Sequence, residues 1–444
     1  MEWLKRPVQT ASATDPAITS SVQNSLADIE QRGITAVRDH ARRLDGWDGD
    51  FLLSPGQWQA LCARVPEQIK ADIHFAHEQI ARFASAQRAS LADFEIETLP
   101  GVSLSQRVIP VQCVGCYVPG GRYAHVASAL MSVTTAKAAG VPNILVCSPP
   151  RGEHIDPAVA YALSIAGADR VFQLGGVQAV AALAYGLLEG PAADMIVGPG
   201  NSYVAEAKRL LFGRVGIDVI AGPTESAIIA DDSADPFTIA VDLLSQAEHG
   251  PTSPVWLLTD CRALADAVLE LVPKVMATLP EPEVCAAAWR DCGAVAVGED
   301  REAVASLSDQ IACEHLQVMA RDLPWWQQRL LNYGSLFLGE GSTVTHGDKC
   351  AGPNHILPTG RAARYSGGLN VQKFLKVLTC QQISEQANEV MSAVASRLSR
   401  YEGMEGHARA CDWRLQKYFP ERNWDFEVFD NWSAEDAADG GTAK

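Results

Sequence analysis

The chain lacks several features that would place it elsewhere. No apolar run reaches the ~18 residues of a membrane span, and the opening MEWLKRPVQTASATD has no apolar core of a signal peptide. There is no basic excess: 36 Lys and Arg stand against 53 Asp and Glu, a net charge of −17. With no cationic stripe to neutralise phosphates, neither nucleic acid nor a membrane is expected as a partner. Neither G-x-G-x-x-G nor G-x-x-x-x-G-K-[ST] occurs, so the ordinary dinucleotide and P-loop fingerprints are missing. Of eleven cysteines, only Cys113 and Cys116 form a C-x-x-C, and no second pair follows at zinc-ribbon spacing. Reduced thiols in a cytoplasmic protein are expected.

What is present is a globular composition. The 444 residues are 47% hydrophobic and 20% charged, a length that suits roughly two to four domains. From about 15 to 95 the apolar spacing is helical. From about 107, short apolar strands such as NILVCS and DMIVGPG alternate with amphipathic helices. That alternation predicts an α/β fold whose parallel sheet is covered on both faces. A second α/β unit is expected near 232–340, with strands PVWLLT, AVAVG and SLFLG. HGDKCAGPNHILPTG reads as loop, and two helices follow, broken near Gly403 to Gly406. The acidic, Gly-rich end from about Ser433 to Lys444 is expected to be disordered.

The densest chemistry lies in DLLSQAEHG, residues 242–250. Asp235-Pro236 starts a helix and Gly250 stops it. Phe237, Ile239, Ala240, Leu243, Leu244 and Ala247 supply its apolar side. Gln246 and His249, three apart, share a face at its C-terminal mouth. Taken alone, His249 could equally bond the last helix carbonyls. Three glycine loops follow expected strands: Tyr117–Gly121, Gly175–Gln178 and Gly198–Asn201. They could bring backbone to a pyrophosphate at helix N-termini, or simply make tight turns. Glu314-His315 offers a base beside a proton carrier, although strand neighbours point to opposite faces unless the chain turns. Asp348 and His407 complete a list of two imidazoles, a carboxylate and an amide oxygen, a set suited to zinc or a similar ion. Nothing in the spacing says that these four meet.

Together these stretches resemble the histidinol dehydrogenase family. VGCYVPGGRY, GPGNSYVAEAKRLLFG, IAGPTES, SQAEHG, EHLQVM, GPNHILPT and EGMEGHA occur in that family's order, over about residues 20 to 420. The resemblance implies two incomplete Rossmann-like domains with parallel sheets, a helical N-terminal segment and a C-terminal helical tail. On this sequence the boundaries fall at 1–106, 107–231 (NAD side), 232–340 and 341–444. It implies Gln246, His249, Asp348 and His407 as zinc ligands and Glu314 and His315 as the acid–base pair. Tyr117, Gln178 and Asn201 would line the NAD site, and Thr224 and Glu402 would contact substrate. It also implies a homodimer in which the tail crosses over, so that Glu402 and His407 complete the neighbour's site. Zinc would orient a small polar alcohol while hydride goes to NAD, in two successive oxidations ending at a carboxylate.

Two positions depart from the pattern. Lys349 follows the zinc aspartate where histidinol-oxidising members usually have tyrosine. A lysine there suits an anionic substrate. Paralogues that oxidise sulfopropanediol look more similar, with GDK in this loop and EGMEGHARA in the tail. They imply 2,3-dihydroxypropane-1-sulfonate as substrate, oxidised to 3-sulfolactate. Retained Glu402 suits a substrate amine and keeps L-histidinol open, as does a non-catalytic zinc- or metabolite-binding descendant. Cys313 replaces the proline that usually precedes the EH pair.

Overall fold

The computed structural model describes residues 1–8, 15–120 and 124–424. Gly121 of the first glycine loop and the tail expected to be disordered, from Ser433 on, lie outside the described residues. The chain forms two compact units, residues 1–91 with 110–375, and residues 92–109 with 376–444. No helix among the described residues is long and apolar enough to cross a membrane.

The larger unit opens with strand β1 (Glu2–Lys5) and four helices: α1 (Pro16–Arg32), α2 (Ile34–Asp45), α3 (Pro55–Ala63) and α4 (Glu67–Ala89). Side-chain caps start two of them, Asp15 on α1 and a Ser54–Gln57 capping box on α3. The smaller unit takes the next hairpin, β2 (Phe94–Leu99) and β3 (Val102–Pro110). Back in the larger unit come β4 (Cys113–Tyr117), α5 (Val126–Ala139), β5 (Asn143–Ser148), α6 (Pro157–Ala166) and β6 (Arg170–Gln173). They are followed by α7 (Gly176–Tyr185), β7 (Met195–Val197), α8 (Ser202–Leu211) and β8 (Gly216–Ile217). The five strands form a parallel sheet in the order β6-β5-β4-β7-β8. Its direction of growth reverses between β4 and β7. The apolar segment IDVIAG, residues 217–222, pairs only at its start, through Ile217.

A second sheet is built from β9 (Ser226–Ala230), β10 (Val255–Thr259), β11 (Ala294–Val297), β12 (His315–Met319) and β13 (Ser335–Leu338). Helices α9 (Pro236–Ala247), α10 (Arg262–Met276), α11 (Pro282–Asp291), α12 (Arg301–Ile311) and α13 (Leu323–Arg329) connect them. The order is β1-β11-β10-β9-β12-β13, parallel except for β1. The first residues of the chain thus edge a sheet that is otherwise more than 200 residues away in sequence, a pairing that helical periodicity near the N-terminus cannot signal. After β13 comes a six-residue helix, α14 (Val344–Lys349), where the sequence suggested a loop. The smaller unit is completed by β14 (Leu375–Ile383), α15 (Glu385–Tyr401) and α16 (Glu405–Tyr418), with sheet order β14-β3-β2.

Burial follows the apolar pattern. Both faces of β4 are buried, and with it Cys113 and Cys116. Three residues apart on one strand, the two thiols face opposite ways. Burial pushes both thiols up, that of Cys113 to about 11, so this C-x-x-C is packing rather than redox chemistry. All eleven cysteines are free thiols. On α9, Ile239, Ala240, Leu243, Leu244 and Ala247 are buried as expected, whereas Phe237 is 54% exposed.

One buried ion pair fixes the reversal between β4 and β7. Lys208 on α8 contacts Asp218 and donates to the Gly198 carbonyl at 2.9 Å, while Asp218 Oδ2 accepts the Gly198 N–H at 2.7 Å. Gly198 has φ 117°, and a Cβ there would lie 2.0 Å from the Tyr117 carbonyl oxygen. Only glycine lets the two strand ends meet so closely. Replacing Lys208 with Met strands Asp218 without its cation. Its expected cost is about 3–5 kcal/mol, read as a lower denaturation midpoint in guanidinium.

Candidate active site

The second sheet presents its amino-terminal edge to the candidate site. β9 and β12 pair in parallel with His315 opposite Ser226, so the residues just before them, Glu225 and Glu314, are neighbours. Ala312 adopts the left-handed conformation, φ 51°, two residues before Glu314. That turn lets consecutive residues serve one site. The Cys313 thiol is buried and bonds the His315 carbonyl at 3.2 Å, filling the place where proline is usual.

Glu314 Oε2 accepts the Glu225 N–H at 3.0 Å and lies 3.6 Å from His315 Nδ1. The Glu225 carbonyl accepts the His315 N–H at 3.1 Å and lies 3.1 Å from Nδ1. With Nδ1–H held there, Nε2 is the nitrogen that gains and loses the second proton. Nε2 is buried without a hydrogen-bond partner and stands 3.5 Å from Asp348 Oδ1, ion-pair distance rather than a firm hydrogen bond. Burial, and to a smaller degree the neighbouring Glu225, pushes the Glu314 carboxyl up to about 8 despite His315. Burial lowers the basicity of His315, but Glu314 and Asp348 outweigh it and lift the imidazole to about 9. Asp348 would be raised by burial, yet His315 holds it down at about 2.

Gln246 and His249 lie where α9 ends. Gln246 is buried, and its Oε1 has no partner. His249 Nε2 faces Asp348 Oδ2 at 3.9 Å, too long for a hydrogen bond. Burial lowers the His249 pKa, leaving a neutral imidazole able to act as a ligand. Among the described residues, no three His, Cys, Asp or Glu side chains form a ready metal cluster. The unit contributes two such donors and one amide oxygen here. His407 and Glu402 belong to the smaller unit, both exposed.

Two residues near the centre had no role in the sequence reading. His355 spans from the Asp348 carbonyl (Nδ1, 2.9 Å) to Ser128 Oγ (Nε2, 3.0 Å), and burial pushes its pKa down to about 4. A neutral ring donates to the carbonyl and accepts from the hydroxyl. His315, Phe337, Asp348, Asn354, His355 and Leu357 line the cleft. Glu225 is the other; both stand inside motifs quoted above, GPNHILPT and IAGPTES, and those motifs were the available signal. Lys349 is exposed, and its charge lowers the pKa of His125, His249 and His355. Thr224 is half-buried beside Glu225.

The residues expected at NAD lie at the carboxyl edge of the first sheet, beside its reversal. The Tyr117 hydroxyl accepts the Gly176 N–H at 3.1 Å, and burial pushes its pKa up to about 12. Gln178 Nε2 donates to Asp45 at 2.8 Å, while its Oε1 is buried without a partner. Asn201 Oδ1 caps α8, accepting from Tyr203 and Val204 N–H groups at 3.1 Å.

The fold is α/β, and Glu225, Glu314, His315 and Asp348 form a buried titratable cluster at the edge of its second sheet. The histidinol dehydrogenase profile matches residues 8–415, and the chain belongs to that family of oxidoreductases. It is 53% identical to the sulfopropanediol 3-dehydrogenase of Ruegeria pomeroyi, over 96% of this chain and 98% of that one. It is 41% identical to the histidinol dehydrogenase of Thermus thermophilus, over 90% and 95%. The crystal structure of histidinol dehydrogenase from Elizabethkingia anophelis superposes with a TM-score of 0.86 at 31% identity, covering 93% of this chain and 94% of that one.

The pair sets a sign for pH. Glu314 and His315 both bind protons more tightly folded than unfolded, with values rising from 4.5 to about 8 and from 6.5 to about 9. Between those limits the native state holds more protons, so stability falls as pH rises. Metal-free protein should therefore melt at lower temperature at pH 9 than at pH 6. Glu314→Gln should flatten that slope, since it removes one titration and lowers the other; thermal melts across pH check it.

Proposed function

We propose that the protein catalyses a zinc-dependent, NAD-linked four-electron oxidation of a primary alcohol through an aldehyde to a carboxylate. The proposed substrate is 2,3-dihydroxypropane-1-sulfonate and the product 3-sulfolactate, with two NAD reduced per turnover. The observation that carries the substrate class is Lys349, an exposed cation next to Asp348 whose charge is felt by His249 and His355. The name of the 53% identical relative supports the same reading. Oxidation of L-histidinol to L-histidine is the second reading, favoured by Glu402, a carboxylate suited to an amine.

The donors suit zinc: the unpartnered Gln246 Oε1, His249, Asp348, and His407 as a fourth ligand. Tyr117, Gln178 with its free acceptor, and Asn201 would hold NAD. When bound, the ion would polarise the substrate oxygen and NAD would accept hydride. His315, in the neutral form that prevails above about pH 9, takes the hydroxyl proton at Nε2. The imidazolium so formed keeps its Nδ1–H against the Glu225 carbonyl, with Glu314 3.6 Å away to balance the charge. In the second stage Glu314 receives a proton from the water that attacks the aldehyde. With its carboxyl pushed up to about 8, Glu314 is ionised and able to accept that proton at alkaline pH, and the carboxylate is then a stronger base than a free one. Thr224, next to Glu225 in the chain, is the proposed substrate contact.

The fourth ligand needs a second chain in this reading. In the smaller unit, Val390, Val394 and Leu398 form an exposed stripe at four-residue spacing on α15, ending at Tyr401, 93% exposed. Phe94, Ile96, Val377 and Leu378 are exposed on its sheet. So much apolar surface suits a homodimer in which His407 and Glu402 reach the partner's site.

An NAD-reduction screen over sulfopropanediol, histidinol and related diols, with bound zinc measured, tests the assignment. Lys349→Tyr should lower kcat/KM for sulfopropanediol about ten- to over a hundred-fold, mostly through KM, for loss of a charge-assisted bond of roughly 1.5–3 kcal/mol. Efficient histidinol oxidation by wild type with no sulfopropanediol turnover would establish the second reading instead.

The shared site has its own test. Mixing inactive His315→Ala and His407→Ala subunits should restore activity, because one of the two hybrid sites is intact. No recovery after proven subunit exchange would place the site within one chain.

A further inference from the structure

The backbone of Glu225 touches both members of the acid–base pair: its N–H donates to Glu314 and its carbonyl meets His315 Nδ1. Two hydrogen bonds in opposite directions hold the segment that carries it. Gly222 N–H donates to Thr359 Oγ1 at 2.6 Å, and Gly360 N–H donates to Glu225 Oε1 at 2.9 Å. The Glu225 side chain is buried, so nothing in water replaces that bond if it is lost. On the far side of the clamp the chain is bent hard, with Gly360 at φ 60° and Arg361 at φ 66°, both left-handed. Such a bend on a non-glycine residue persists where its surroundings hold it.

We propose that Glu225 is a positioning residue whose carboxyl, by clamping Gly360, fixes the backbone N–H that aims Glu314 and the backbone carbonyl that holds Nδ1–H of His315. Its consequence for turnover rests on the roles proposed above for that pair; its effect on His315 does not.

The test uses full-length, zinc-loaded enzyme labelled with [15N]histidine. His315 imidazole signals are assigned by their loss in His315→Gln. In Glu225→Ala they should leave the Nδ1–H pattern, kcat should fall about 10–100-fold, the range for lost outer-layer partners, and the pH profile of kcat should shift. In Glu225→Gln, whose amide oxygen can still accept from Gly360, signals and pH profile should stay and kcat should remain within a few-fold of wild type. Wild-type signals and pH profile in Glu225→Ala would overturn the proposal, as would equal damage in both variants. If Glu225→Ala fails to fold, Thr359→Val, which removes the other clamp bond, decides by the same signals. Should wild type oxidise neither sulfopropanediol nor histidinol, the substrate reading fails alone, and the His315 signals still judge Glu225.

Discussion

The parallel pairing of β9 with β12 is the constraint on which the site depends. In that register the two strands start together, so the peptide before one lies against the side chains that open the other. A shift of one residue would turn His315 to the other face of the sheet and move Glu314 away from the Glu225 N–H. The chemistry is therefore a property of strand register. That register is itself secured by the buried Val, Ile and Leu side chains of the strands, Ile228, Ile229, Leu316 and Val318 among them.

The two sheets of the larger unit present opposite edges. The first offers its carboxyl edge at the β4–β7 reversal, the place where open α/β sheets ordinarily take ligands. The second offers its amino edge, where Glu225, Glu314 and the end of α9 gather. Ser128 in the first turn of α5 reaches the Asp348 segment through His355. A small polar network thus ties an element of the first half to the centre of the second.

Much of this was legible in the sequence. The alternation of apolar strands and amphipathic helices gave the α/β architecture, and the caps of α9 stood in plain view at Asp235-Pro236. The resemblance singled out Glu314, His315, Asp348 and His249, which the structure links in a chain of side-chain contacts; Gln246, also singled out, is buried at the end of α9. What stayed hidden was long-range. The pairing of β1 with β11 joins residues nearly 300 apart, and hydrophobic period carries no information about partners. Phe237 looked like core because its spacing fits the apolar face, yet one turn from a helix end it lies in the open. Glu225 was passed over because an isolated carboxylate in a glycine–proline loop has no pattern; its meaning comes from the contacts of its backbone N–H and carbonyl, not from a spacing.

The ends of α9 are unequal in a way that bears on electrostatics. Its N-terminus is covered by the Asp235 carboxylate, and its last turn carries no basic side chain. The aligned peptide dipoles leave a partial negative charge at the end of a helix where Gln246 and His249 sit. Any positive species arriving there, an ion or the ammonium of a neighbouring lysine, enters a field already of the right sign. The attraction comes from the backbone itself, and it would survive replacement of either side chain.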